Sequence, residues 1–90
     1  MFPKLSRVES QANLDLMRTY VCSVCCTAPV DVHHVRTKGA GGGDELTNIV
    51  SLCRGHHQAF HSMGVKSFKA KYGQAITFFR QRKRLPELIW

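Results

Sequence analysis

The chain has 90 residues, with 13 Lys+Arg against 6 Asp+Glu and a formal net charge of +7. That length allows one domain, residues 1–90, with a core that usually needs a staple; 43% hydrophobic and 21% charged residues exclude a disordered or fibrous chain. No apolar run reaches the ~18 residues of a membrane span, and residues 1–7 lack a secretory-signal pattern, so no membrane association and a cytoplasmic location are expected.

Residues 1–45 hold five basic and five acidic side chains, whereas residues 46–90 hold eight basic ones and the single acid Glu87. A basic half of this kind points to a polyanionic partner. In chain order, Ser6-Arg7-Val8-Glu9 reads as a capping box opening a helix over about 6–20. Val8, Ala12, Leu16 and Tyr20 recur at i+4 and are expected to face the core.

All four cysteines and all five histidines lie between Cys22 and His61. Three crowded cysteines without a signal argue against disulfides. The order Cys22-x-x-Cys25, then Cys53-x-x-His56, gives two paired ligands on tight turns, which suits a closed tetrahedral Zn²⁺ site. A pairing of Cys22 with Cys26, leaving Cys25 spare, is the alternative. Bound zinc would be the staple, because its binding energy becomes folding energy.

The β-branched run at residues 30–35 predicts a strand. Alternation would send His33 and His34 to opposite faces unless a twist or bulge intervenes. Residues 38–44, with Gly39 and Gly41-Gly42-Gly43, predict a flexible loop between two hairpin strands, and residues 49–52 predict the second strand. A helix follows Cys53 and is expected to stop near Gly64. His57 and His61 share a face at i, i+4, while His56 is rotated about 100° away. Beyond Gly64, residues 65–85 form a basic helical tail. Val65, Phe68, Tyr72, Ile76 and Phe79 are expected in the core, Gly73 is expected to break or bend the helix, and Pro86 ends it. Arg80, Arg82, Lys83 and Arg84 are candidate phosphate contacts, or else a solvated helix end. Trp90 has no evident role.

Taken together, Cys22-x-x-Cys25, Asp31-Val32-His33-His34-Val35, Gly42-Gly43-Asp44-Glu45-Leu46-Thr47-Asn48-Ile49, Leu52-Cys53-Arg54-Gly55-His56-His57 and His61 resemble the HNH endonucleases, in the double-His, colicin-like variant. The likeness covers residues 22–61. His56 stands where knuckle-bearing members usually have Cys. It implies an α+β fold: a small zinc-stabilised ββα-metal core with flanking N- and C-terminal helices. It further implies that His33, His57 and His61 hold one catalytic metal, that His34 is the general base, and that Asn48 orients that base and braces the loop. Hydrolysis of DNA leaving a 5′-phosphate and a 3′-hydroxyl is the implied activity.

Several roles stay open. Asp31, two residues before His33 on the same strand face, is a further ligand, a partner orienting a His, a contact to an Arg, or an exposed acid. Arg36 and Lys38 either grip the phosphate or are solvated. The absence of acids between Glu45 and Glu87 disfavours a carboxylate-rich two-metal site. Three imidazoles suit Zn²⁺, Ni²⁺, Mn²⁺ or Co²⁺ better than Mg²⁺. A non-catalytic zinc-stabilised nucleic-acid-binding module is the rival reading. A phage or mobile-element machine in which a protein partner supplies targeting would change the substrate but not the chemistry. With about 50 residues outside the motif, little room remains for a sequence-reading domain, so weak sequence preference is expected.

Overall fold

The structure, a computed structural model, describes residues 9–90. Within them lie helix α1 (Gln11–Arg18), an antiparallel hairpin of β1 (Asp31–His34) and β2 (Ile49–Leu52), and the long helix α2 (Arg54–Arg82). No helix among the described residues is long and apolar enough to cross a membrane.

Helix α1 opens at Ser10, whose backbone is extended and whose Oγ accepts the Asn13 N–H at 3.1 Å. That is an ordinary N-cap, placed one turn later than expected; Ser6, Arg7 and Val8 lie outside the described residues. The expected core stripe shifts with it. Ala12 and Leu16 are exposed, Tyr20 is half-buried, and Met17 is the buried residue. The reason is long-range. Asp44 accepts the Ser10 N–H at 3.0 Å through Oδ2, and its backbone carbonyl accepts from Asn13 Nδ2 at 2.9 Å. These bonds turn the Asn13–Met17 face inward.

The hairpin pairs Asp31 with Leu52, Val32 with Ser51, His33 with Val50 and His34 with Ile49. All four residues of β2 are buried, as its nearly continuous apolar sequence requires. Val50 and Leu52 join Cys22, Phe60, Phe68 and Ile76 in the core. The turn carrying Cys22 is stitched to β2: Ser23 N–H donates to the Ser51 carbonyl at 2.9 Å, and Ser51 Oγ donates to the Val21 carbonyl at 2.8 Å.

The segment between the strands is packed rather than a free loop. Residues 38–40 form a short 3₁₀ turn, and Gly42 and Gly43 are buried. Asn48 closes the loop. Its Oδ1 accepts the Arg36 N–H at 2.8 Å, and its Nδ2 donates to the Arg36 carbonyl at 3.1 Å and the Gly43 carbonyl at 2.8 Å.

Gly64 interrupts α2 with φ 82 and ψ 164, a region that only glycine occupies without strain. Gly73, expected to break or bend the helix, stays helical. It is buried instead, because Trp90 folds back onto it; a Cβ there would lie 3.6 Å from Trp90 Cζ2. Trp90 thereby gains the role its sequence position did not suggest, packing beside Phe68. Phe68, Ile76 and Phe79 are buried and Tyr72 is half-buried, but Val65, next to the Gly64 break, is exposed.

The two glycines predict a contrast. At Gly42 a Cβ would sit 1.8 Å from the Arg36 carbonyl oxygen, so Gly42→Ala must move backbone and is expected to destabilise by about 3 kcal/mol or more. At Gly64 nothing lies within 4 Å, so Gly64→Ala meets only backbone strain of about 1–3 kcal/mol. Denaturant titration of both variants checks the order; equal losses would contradict it.

Arg80, expected among the phosphate contacts, is 2% exposed. Its Nε donates to the Pro86 carbonyl at 2.7 Å, its Nη1 to the Ile49 carbonyl at 2.9 Å, and its Nη2 to the Leu46 carbonyl. Burial pulls its pKa down to about 10, so it remains charged at neutral pH. The guanidinium is a structural clamp that ties the end of α2 to the start of β2, and it cannot reach a phosphate.

Candidate metal centre and active site

Two clusters of metal-ligating side chains meet at the first turns of α2. Cys22, Cys25, Cys53 and His56 place one ligand atom each within 4.8 Å of one another, and so do His33, His57 and His61. Helical geometry explains how neighbouring residues serve different clusters, since His56 and His57 point about 100° apart.

In the cysteine cluster, Cys22 Sγ lies 3.7 Å from His56 Nδ1, Cys53 Sγ 3.2 Å from the same atom, and Cys25 Sγ 3.7 Å from Cys53 Sγ. Thiolates around Zn²⁺ at about 2.3 Å would stand about 3.8 Å apart, so this donor set fits a metal such as zinc. The Val24 N–H points at Cys22 Sγ at 3.4 Å. The Cys25 thiol is drawn down to about 6, chiefly by the Thr27 hydroxyl at 3.1 Å, whereas burial pushes the Cys22 thiol up. Cys25, not Cys26, is the cysteine that the structure brings beside Cys22, Cys53 and His56.

In the histidine cluster, the three ring centroids stand 4.9–5.1 Å apart. Asp31 Oδ2 lies 3.0 Å from His57 Nδ1 and also accepts from Arg54 Nε at 3.0 Å. It is therefore a partner that orients His57, held by an arginine. The bond to His57 and the positive Arg54 keep the Asp31 carboxyl below its ordinary range. With Nδ1 donating to Asp31, His57 Nε2 carries a lone pair, and it faces His61 Nε2 at 3.2 Å. His33 Nε2 is buried with no hydrogen-bond partner, a costly state for an isolated imidazole nitrogen. Burial, then the neighbouring His57, His61 and His34, lower the His33 pKa to about 4, so the ring is neutral and able to ligate at physiological pH. Three imidazoles with a ring nitrogen each within 4.8 Å of the others fit a divalent cation with nitrogen preference.

His34 lies across the strand from His33, yet both line one open hollow of about 220 Å³ with His57, His61, Val32 and Thr37. Strand alternation therefore does not keep the two imidazoles out of a common hollow. His34 Nε2 lies 2.7 Å from Asp44 Oδ1. Asn48, expected to orient His34 as well as brace the loop, makes its side-chain hydrogen bonds to Arg36 and Gly43 instead. Asp44 was the residue to find; its signal was an acid closing a glycine-rich loop next to the second strand.

Among the candidate nucleic-acid contacts, Arg36, Arg82, Lys83 and Arg84 are exposed and Arg80 is not. The Lys38 side chain lies outside what the structure describes. Arg54 and Arg18, not singled out in the sequence, line a second hollow of about 450 Å³ that shares Val32, His57 and His61 with the first.

A family model described as "Putative HNHc nuclease" matches residues 4–89. No curated protein matches the chain at a significant level.

Proposed function

Since this chain belongs to the HNHc nuclease family, matched over residues 4–89, we propose that it is a metal-dependent endonuclease that hydrolyses DNA phosphodiester bonds. The observation that carries the reading is the convergence of His33, His57 and His61, with an unpartnered buried nitrogen on His33, beside His34 in one open hollow. A zinc-stabilised binding module would leave these four histidines without a purpose.

His33, His57 and His61 would hold one divalent metal, with Zn²⁺, Ni²⁺, Mn²⁺, Co²⁺ and Mg²⁺ as the candidates. When bound, it supplies Lewis acidity for the charge that builds on the phosphate and the leaving oxygen. The protein's own residues do the rest. His34 takes a proton from the attacking water, a task suited to a neutral imidazole near pH 7. The water oxygen bonds to phosphorus as the P–O3′ bond breaks, and the departing 3′-oxygen takes a proton from solvent, leaving a 5′-phosphate and a 3′-hydroxyl. Asp31 fixes the His57 ring, and Asn48 keeps the loop closed behind the hollow. Cys22, Cys25, Cys53 and His56 would hold a structural Zn²⁺. Arg36 and the exposed cations Arg82, Lys83 and Arg84 would contact the backbone, giving salt-sensitive binding with weak sequence preference.

Purified protein is incubated with plasmid and each divalent metal in turn, with chelator as control. Metal-dependent nicking is expected, and His34→Ala is expected to slow it by about 10²–10⁴-fold. Equal nicking by the variant, or none with any metal, overturns the proposal.

A further inference from the structure

His34 and Asp44 face each other across the glycine-rich loop. Asp44 is 3% exposed, and its two carboxylate oxygens have different partners. Oδ1 lies 2.7 Å from His34 Nε2, and Oδ2 accepts the Ser10 backbone N–H at 3.0 Å. A carboxylate can only accept, so the hydrogen in the contact with His34 sits on Nε2. That leaves Nδ1 with a lone pair in the neutral ring.

The geometry points to Asp44 as the positioning residue for His34, fixing its tautomer and ring orientation so that Nδ1 is the proton acceptor. This rests on the reading of His34 as the base. The carboxylate is itself held by the N-terminus of α1, through the Ser10 N–H, and by the Asn13 side chain on its backbone carbonyl. Helix α1 thus reaches the chemistry without contributing a side chain to the hollow that His34 shares with the His33 cluster.

The arrangement makes Asp44→Asn informative. The Ser10 N–H is a donor, so an amide in place of the carboxylate keeps its oxygen toward Ser10. Its NH₂ then faces His34 Nε2 and can only donate. His34 must answer with a bare Nε2 and a hydrogen on Nδ1, the wrong nitrogen for taking a proton from water. An isosteric change at the equivalent orienting carboxylate of a serine protease triad acts through the tautomer in this way.

The test uses the metal-loaded full chain with ¹⁵N-labelled histidine, observed by NMR at mildly alkaline pH. Wild type is expected to carry the His34 hydrogen on Nε2, and Asp44→Asn on Nδ1. In plasmid cleavage, Asp44→Asn is expected to lower kcat by about 10²–10⁴-fold with little change in KM. Placed in a His34→Ala background it is expected to cost nothing more, because the two act as a unit. A wild-type His34 with its hydrogen on Nδ1 overturns the proposal on the native protein alone, whether or not the variant folds. An unchanged tautomer in the variant, or additive losses in the double variant, also overturns it. Absence of cleavage by wild type with the Nε2 tautomer intact would sink the nuclease reading while leaving the Asp44–His34 pairing established.

Discussion

Strong chelator is expected to unfold the protein, because the cysteine cluster fits a metal such as zinc. Cys22 is fully buried and belongs to the same core as Val50, Leu52, Phe60, Phe68 and Ile76. Structural zinc carries about 10–16 kcal/mol of apparent binding free energy in zinc-finger peptides, more than the ~5–10 kcal/mol that small domains usually retain as net stability. Strong chelator or Cys22→Ser is therefore expected to abolish the near-ultraviolet dichroism of the packed core, and readdition of Zn²⁺ to restore it for the chelated wild type. Reductant alone is expected to do nothing, since none of the four cysteines is in a disulfide. His57→Ala provides the contrast: it removes a ligand of the other cluster and should retain one tightly bound zinc and a folded chain. A chelated protein with an unchanged melting curve would refute the structural role.

The second large effect is expected at Arg80. Replacing it by Met keeps the apolar bulk but leaves the carbonyls of Leu46, Ile49 and Pro86 without their donor. Unsatisfied buried acceptors cost about 1–3 kcal/mol each, and breaking a buried charged network costs about 3–5 kcal/mol in all. For a domain of this size that corresponds to a fall in Tm of roughly 15–25 °C. Arg80→Lys can satisfy only part of the fork and is expected to fall between. Arg82→Ala, on the exposed side of the same turn, is expected to shift stability by no more than about 0.5 kcal/mol. If Arg80→Met instead melted normally and lost only DNA affinity, the clamp would be disproved.

Arg80 also shows where a sequence stops being informative. Beside Arg82, Lys83 and Arg84 it reads as one more cation on a helix end, because two of the carbonyls that bury it come from residues 46 and 49, more than thirty positions away. Asp44 escaped in part for the same reason: Ser10 lies thirty-four positions before it, and the approach of His34, ten positions back, depends on how the intervening loop folds. The start of α1 was misplaced because a local capping pattern at Ser6 could not register the pull of Asp44 on Ser10 and Asn13. Features set by neighbours in the chain were legible. The buried run at residues 49–52, the interruption at Gly64 and the division of labour between His56 and His57 all follow from periodicity and spacing. The gathering of Cys22, Cys25, Cys53 and His56, and of His33, His57 and His61, was legible too, since short spacings on turns and helices leave few ways to bring such side chains together.

The adjacency of His56 and His57 makes length, rather than composition, the rigid property of this stretch. One peptide bond joins a side chain of the cysteine cluster to a side chain of the histidine cluster. A single residue inserted between them would rotate everything downstream by about 100°, removing both His57 and His61 from His33 at one stroke. Point substitutions around them on the exposed face, at Arg54, Gly55 or Gln58, disturb no such phase. Natural variation in the segment from Cys53 to His61 should therefore fall as replacements at exposed positions such as Gly55 and Gln58 and be empty of insertions and deletions.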